Sequence, residues 1–211
     1  MITCPNCGEL EINDITIYNE YLRKQDFSML PVLPTCRRCG EEVAITHKCT
    51  GGTVIVLNGT CGSGKSTIAE ILLTKGFLVI DGDCVIQVVK HKKGKPEWNF
   101  KELADEIARE IDILSMFGDN FVVSAVILPE DLDKYMNIFQ SRHLKYRLFL
   151  LKPEYQTAWE RCQTRTCHES ITPEYWIQYF YETLNFDDRF IVVDNTHLTA
   201  EETASRVLED K

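Results

Sequence analysis

The chain has 211 residues, enough for one sizeable domain and a small accessory module. Its 44% apolar share holds no run approaching the roughly 20 residues of a bilayer span, and a formal charge of −9 argues against a surface given over to nucleic acid. The start, Met1 to Pro5, lacks the basic-then-apolar pattern of a signal peptide, and for the nine cysteines metal binding and buried thiols in the cytoplasm are expected, not disulfides.

Four cysteines fall in two matching pairs, Cys4-Pro5-Asn6-Cys7-Gly8 and Cys36-Arg37-Arg38-Cys39-Gly40. Two residues between thiols let one tight turn aim both sulfurs at one metal, and the following glycine can take the positive φ such a turn needs. Cys4, Cys7, Cys36 and Cys39 together make a closed Cys4 set suited to structural zinc. The segment resembles zinc-ribbon or rubredoxin-like knuckles, and metal binding is expected to supply much of its folding free energy. The spacer, with Ile12, Ile15, Ile17, Tyr18 and Tyr21, is long enough for a short hairpin or helix. His47 and Cys49 read as linker or strand-edge residues, because the knuckles already complete a site. Thr50-Gly51-Gly52 marks a boundary, giving a module over 1–50 and a domain over 51–211. Residues 1–50 carry five Lys or Arg against seven Asp or Glu, so the module is poorly suited to gripping a polynucleotide and remains a candidate for binding a protein partner.

From Thr53 onward, short apolar runs alternate with amphipathic stretches. The spacing predicts strands over Val54–Leu57, Phe77–Ile80, Phe121–Leu128, Tyr146–Leu151 and Phe190–Val193. Each is continuous rather than alternating, as for parallel strands covered on both faces. Leu103, Ile107, Ile111 and Leu114 recur at helical spacing; Pro129, Pro153 and Pro173 stand where helices begin; and Thr199-Ala200-Glu201-Glu202 reads as a capping box. The fold class is α/β, a parallel sheet flanked by helices.

Between the first strand and its helix lies Gly59-Thr60-Cys61-Gly62-Ser63-Gly64-Lys65-Ser66, a full match to G-x-x-x-x-G-K-[ST], followed by the helical run from Thr67. The glycines let backbone N–H groups curl around a β-phosphate, and the helix start adds its positive dipole end. Lys65 is expected to reach the β- and γ-phosphates of ATP and the Ser66 hydroxyl to ligate Mg2+. Cys61 reads as a small residue tolerated in the loop.

Asp81-Gly82-Asp83 follows the second strand, at the carboxyl end where ligands bind in open α/β sheets. One acid can hold a magnesium-bound water while the other takes the acceptor hydroxyl's proton; the alternative is a surface turn with helix-capping acids. Further on, Arg161 and Arg165 lie four apart on one helical face. They can close over the phosphates, or simply face solvent. No N-K-x-D motif for reading guanine occurs, and Asp194-Asn195-Thr196-His197 is no substitute, which disfavours a GTPase switch.

These motifs resemble the small P-loop kinases: the shikimate kinase, gluconate kinase, adenylylsulfate kinase and adenylate kinase group. The likeness runs from about Thr53 to Leu208. It implies a five-stranded parallel sheet in the order 2-3-1-4-5, Asp83 as the substrate-side base, and Arg161 and Arg165 as lid arginines. The expected activity is ATP-dependent phosphoryl transfer to a small molecule such as a nucleoside, nucleotide or metabolite, with ATP, Mg2+ and Zn2+ bound. The alternatives are a nucleic-acid end kinase and a non-catalytic nucleotide-binding adaptor.

In that group the helices after the second strand shape the acceptor site. Here this stretch carries Lys90-His91-Lys92-Lys93-Gly94-Lys95-Pro96, a basic run suited to an anionic acceptor or equally to a solvated loop. Trp98 and Phe100 offer stacking surface or helix packing. Cys162, Cys167 and His168 lack paired spacing and are not expected to form a second metal site; Cys84 reads as a buried thiol.

Overall fold

A computed structural model describes residues 1–16, 34–86, 100–164, 172–184 and 187–209. Ile17, Tyr18, Tyr21, the Lys90–Pro96 run, Trp98, Arg165, Cys167 and His168 lie outside them, as does the side chain of Phe100.

The N-terminal segment forms two small antiparallel sheets. One joins β1 (Ile2–Cys4), β2 (Gly8–Glu9) and β5 (Ala44–Ile45) in the order β2-β1-β5. The other pairs β3 (Ile15–Thr16) with β4 (Thr35–Cys36). Gly8 and Gly40, which end the two knuckles, have φ of 77° and 78°, the turn conformation their position called for. Ile2, Leu10, Ile15 and Val43 pack around Cys4 and Cys36, and Met116 and Phe117 of the larger domain close this small core.

The larger domain is built on β6 (Thr53–Asn58), β7 (Leu78–Asp81), β8 (Asn120–Ser124), β9 (Lys145–Leu151) and β10 (Ile191–Val193). All neighbours pair in parallel, in the order β10-β9-β6-β8-β7. Counted from β6, this is the expected 2-3-1-4-5 order. Alternate residues of β6 serve opposite faces. Ile55 and Leu57 meet Ile68 and Leu72 of α1 (Lys65–Thr74) and Val207 of α6 (Ala200–Glu209). Val54 and Val56 join the core holding Leu103 and Ile107 of α2 (Phe100–Leu114), Leu132 and Phe139 of α3 (Pro129–Gln140), and Phe180 of α5 (Glu174–Thr183). Burial on both faces explains the continuous apolar runs. Between β9 and α5 lies α4 (Tyr155–Thr164). At α6 the capping box forms in full: the Glu202 N–H donates to Thr199 Oγ1 (3.1 Å) and the Thr199 N–H to Glu202 Oε2 (2.8 Å).

All five strands differ from the sequence reading by a residue or more at an end, and two of the differences matter here. The strand expected over Phe121–Leu128 ends at Ser124, because the Asn58 side chain takes over the pairing. Asn58 Nδ2 donates to the Ile127 carbonyl (2.8 Å), and the Ile127 N–H donates to Asn58 Oδ1 (3.1 Å). The last strand is shorter by one residue and lies at the sheet edge, leaving Ile191 and Val192 exposed. No helix among the described residues is long and apolar enough to cross a membrane.

Candidate active site

The P-loop leaves the carboxyl end of β6, where Asn58 Oδ1 also accepts the Gly59 N–H (2.8 Å) and so sets the direction in which the chain turns. The Thr60 hydroxyl donates to the Ile177 carbonyl of α5 (3.0 Å), pinning the loop's outer side. Gly64 caps α1 at φ 95°, a left-handed conformation that a Cβ would strain, and no side chain caps the helix. The first turn of α1 contains no acid. Its leading N–H groups, with the dipole behind them, make a cradle for an anion. Lys65 Nζ reaches back over the loop to donate to the carbonyls of Gly59 (2.7 Å) and Thr60 (3.1 Å). Ser66 and Thr67 are exposed at the mouth, while Cys61 is half-buried and packs against the core.

Asp81 ends β7 beside this cradle. Its Oδ2 accepts the Ser66 hydroxyl (2.9 Å) and the Ser124 hydroxyl at the end of β8 (3.2 Å). Its Oδ1 accepts the N–H groups of Asp83 (3.0 Å) and Cys84 (3.2 Å), capping the short helical stretch over 82–86. Burial pushes the Asp81 carboxyl up from the ordinary aspartate range, and the nearby Asp83 charge adds to this. The Cys84 N–H, the Ser66 hydroxyl and the Lys65 charge act against it. Asp83, by contrast, is exposed. The two acids therefore have different environments: Asp81 is locked to the P-loop hydroxyl, and Asp83 is open to solvent.

Helix α4 lies against the loop, close enough that a Cβ on Gly62 would stand 2.1 Å from the Ala158 carbonyl and 2.9 Å from the Cys162 thiol. Arg161 Nη2 donates to the carbonyls of Asn195 (3.0 Å) and Thr196 (3.5 Å) in the turn after β10.

Away from the P-loop, the sulfurs of Cys4, Cys7, Cys36 and Cys39 all lie within 4.8 Å of one another, with Cys4 and Cys39 3.5 Å apart. Sulfurs placed tetrahedrally at ~2.3 Å from zinc are about 3.8 Å apart, so the set fits the metal. Hydrogen bonding to Cys39, with burial, pushes the Cys7 thiol up to about 12. At Cys36 burial raises the pKa, but the N–H groups of Arg38 and Cys39 outweigh it and bring the thiol down to about 7. Arg37 and Arg38 brace the second knuckle, Arg37 Nε donating to the Ile15 carbonyl (2.8 Å) and Arg38 pairing with Asp14 (2.6 Å).

A family model described as an AAA domain matches residues 55–176, more than half of the chain and the whole stretch from the P-loop through α4. The chain belongs to this AAA domain family. Solved structures share the AAA domain's fold. A gluconokinase from Sinorhizobium meliloti 1021 is 24% identical, aligned over 76% of this chain and 91% of its own, with a TM-score of 0.54. A sugar kinase from Janibacter sp. HTCC2649 is 19% identical over 74% and 92%, with a TM-score of 0.55. The tunicamycin resistance protein of Deinococcus radiodurans is 18% identical over 74% and 93%, with a TM-score of 0.57. At these identities the likeness is one of fold, and the fold is that of the small P-loop kinases. No curated protein matches the chain in sequence.

Three residues around the AAA domain's loop were not legible as site residues. Asn58 and Ser124 each end an apolar strand with a polar side chain buried to 1% and 2% exposure. A lone polar residue at the carboxyl end of a buried strand was the available signal. Asn195, 3% exposed, was read only as part of a failed guanine motif.

Proposed function

We propose that the chain is an ATP-dependent kinase that transfers the γ-phosphoryl group to a hydroxyl of a small-molecule acceptor. The observation that carries this reading is the arrangement of Ser66, Asp81 and Asp83 at the mouth of an uncapped P-loop helix. A hydroxyl and a carboxylate are joined 2.9 Å apart, and a second, exposed carboxylate stands two residues on. A cradle for phosphate, a hard-oxygen pair for a divalent cation and an open base are the parts phosphoryl transfer requires.

The backbone amides of Gly62 to Ser66 would hold the phosphates, and Lys65 would leave the Gly59 and Thr60 carbonyls to meet the β- and γ-oxygens. Ser66 and Asp81 fit magnesium, with Ser66 as ligand and Asp81 holding a bound water; the ion would neutralise charge on the phosphates. Asp83 would accept the proton of the acceptor hydroxyl at a carboxylate oxygen, sharpening the nucleophile without moving Asp81. Arg161, which in this structure steadies the turn after β10, would with Arg165 supply the lid cations that neutralise charge on the phosphates. The cysteine cluster would hold zinc as a closed, structural site. No membrane role is part of this reading, and the cytoplasm, where thiols stay reduced, suits the cluster.

The test is transfer of labelled γ-phosphate from Mg·ATP to a panel of nucleosides, nucleoside monophosphates, sugars, sugar acids and 5′-hydroxyl oligonucleotides, with Lys65→Ala as the blank. Label on a small-molecule class that vanishes in the blank supports the reading. Label on oligonucleotides alone, or tight ATP binding with no transfer to anything, contradicts it.

A further inference from the structure

The turn after β10 is fixed from several sides. Asp194 Oδ1 accepts both the N–H (2.9 Å) and the hydroxyl (2.6 Å) of Thr196. The same Thr196 oxygen accepts the Glu154 N–H (2.8 Å), and Arg161 holds the Asn195 and Thr196 carbonyls. This turn carries the Asn195 side chain into the protein, where its Nδ2 donates to the Ser63 carbonyl over a buried 2.9 Å. The carboxamide also lies beside Gly64, near enough that a Cβ there would be 3.6 Å from Nδ2. Among the described residues no group pairs with Asn195 Oδ1. An unmet buried acceptor is a cost to folding, so stability alone gives little reason for an asparagine here.

The consequence is stereochemical. In a trans peptide the C=O and N–H point in opposite directions, and no peptide bond among the described residues is cis. Holding the Ser63 carbonyl toward Asn195 therefore turns the Gly64 N–H away from it, into the cradle. Gly64 is the residue least able to hold that plane by itself, because without a Cβ it tolerates either orientation of the preceding peptide. We infer that Asn195 is a positioning residue that aims the Gly64 amide at the nucleotide's phosphates. It thereby ties the shape of the P-loop to the turn after β10. The inference rests on the nucleotide-binding part of the proposed function.

The test follows the Gly64 amide by NMR in protein labelled with 15N-glycine, with Mg·ATP affinity measured by calorimetry. In the unsubstituted protein Mg·ATP should move the Gly64 proton downfield. In Asn195→Ala, and in Asn195→Asp, which keeps the size but removes the donor, that shift should shrink. Affinity should then fall about tenfold, the scale of one impaired hydrogen bond to a charged group. Variants that bind as tightly as the unsubstituted protein overturn the proposal. Weaker binding with the Gly64 shift intact also overturns it, since that is what a merely structural residue would give. The measurement on the unsubstituted protein stands even where a variant fails to fold: Mg·ATP binding that leaves the Gly64 amide unmoved is fatal to the idea. Absence of any Mg·ATP binding is a different failure, that of the underlying reading, and removes this proposal with it.

Discussion

Ser66 donates its hydroxyl to Asp81 Oδ2 across 2.9 Å, joining the start of α1 to the end of β7. The bond places a carboxylate, 7% exposed, beside the phosphate cradle, and burial holds its pKa above the ordinary 3.8. Between 3.8 and the raised folded value, the folded chain binds more protons at Asp81 than the unfolded chain does. Stability should therefore fall as pH rises through that window.

Asp81→Asn keeps the shape and removes the buried charge. Without nucleotide or metal, the variant should melt at a higher temperature than the unsubstituted protein at neutral pH, with the gap closing as pH falls toward 3.8. Its magnesium-dependent activity should be lost. Thermal melts between pH 4 and 8 read the effect; a gap that does not change with pH would remove the buried-charge explanation.

Lys65 holds two loop carbonyls in this structure, yet it is only half-buried, so its loss should be felt in function rather than folding. Lys65→Ala should lower phosphoryl transfer by roughly 10²-fold or more while changing stability by no more than about 0.5 kcal/mol. A denaturation curve beside a transfer assay separates the two. Activity within a factor of two of the unsubstituted protein would exclude Lys65 from the reaction.

Much of this architecture was open to sequence reasoning, and the reasons are local. Continuous apolar runs identified both-face-buried strands because β6 packs Val54 and Val56 to one side and Ile55 and Leu57 to the other. The glycine–lysine run identified the loop because few residue types can make that turn, and the paired knuckles identified the cluster of four cysteines for the same reason. What stayed hidden depends on register. Ser124 reaches Asp81 only because β8 lies between β6 and β7 with Ser124 level with Asp81. Asn195 meets Ser63 across 132 residues. Arg161 was visible as a helix-face cation, but its partners, two backbone carbonyls in a distant turn, carry no signature in sequence.

Arg142 and Asp112 form a bidentate pair at 2.8 and 2.7 Å, and Asp112 Oδ1 also accepts the Cys49 N–H (2.9 Å) at the linker. The side chains are 11% and 19% exposed, so the pair is largely shielded from solvent. Arg142→Ala should destabilise the protein by about 2 kcal/mol, since among the described residues it leaves the carboxylate with only the linker amide. The double variant Arg142→Ala/Asp112→Asn should recover part of that loss. Chemical denaturation of all three proteins reads the coupling, and strict additivity would show that the pair does not act as a unit.

The small core around Cys4 and Cys36 contains few apolar side chains, and Met116 and Phe117 of the larger domain complete it. Elemental analysis should find one zinc per chain, and Cys36→Ser should lower that stoichiometry. Because Met116 and Phe117 lose their cover when the module loosens, metal loss should also increase hydrogen exchange just beyond α2. Full zinc occupancy in Cys36→Ser would rule out the four-thiolate site.

Asp83 offers the sharpest separation of binding from chemistry. It stands exposed two residues beyond the locked Asp81, and its own N–H, not its carboxylate, makes the bond that shapes the turn. Replacing the carboxylate by an amide should therefore leave the turn, the Ser66–Asp81 bond and the phosphate cradle in place. Asp83→Asn should bind Mg·ATP with unchanged affinity, yet transfer phosphate at least about 10²-fold more slowly, the scale of losing a general base. Calorimetry gives the first quantity, and single-turnover transfer with saturating Mg·ATP gives the second. If both fell together, Asp83 would belong to nucleotide binding. If neither changed, the proton would leave by another route and the base would have to be sought elsewhere at the mouth of the loop.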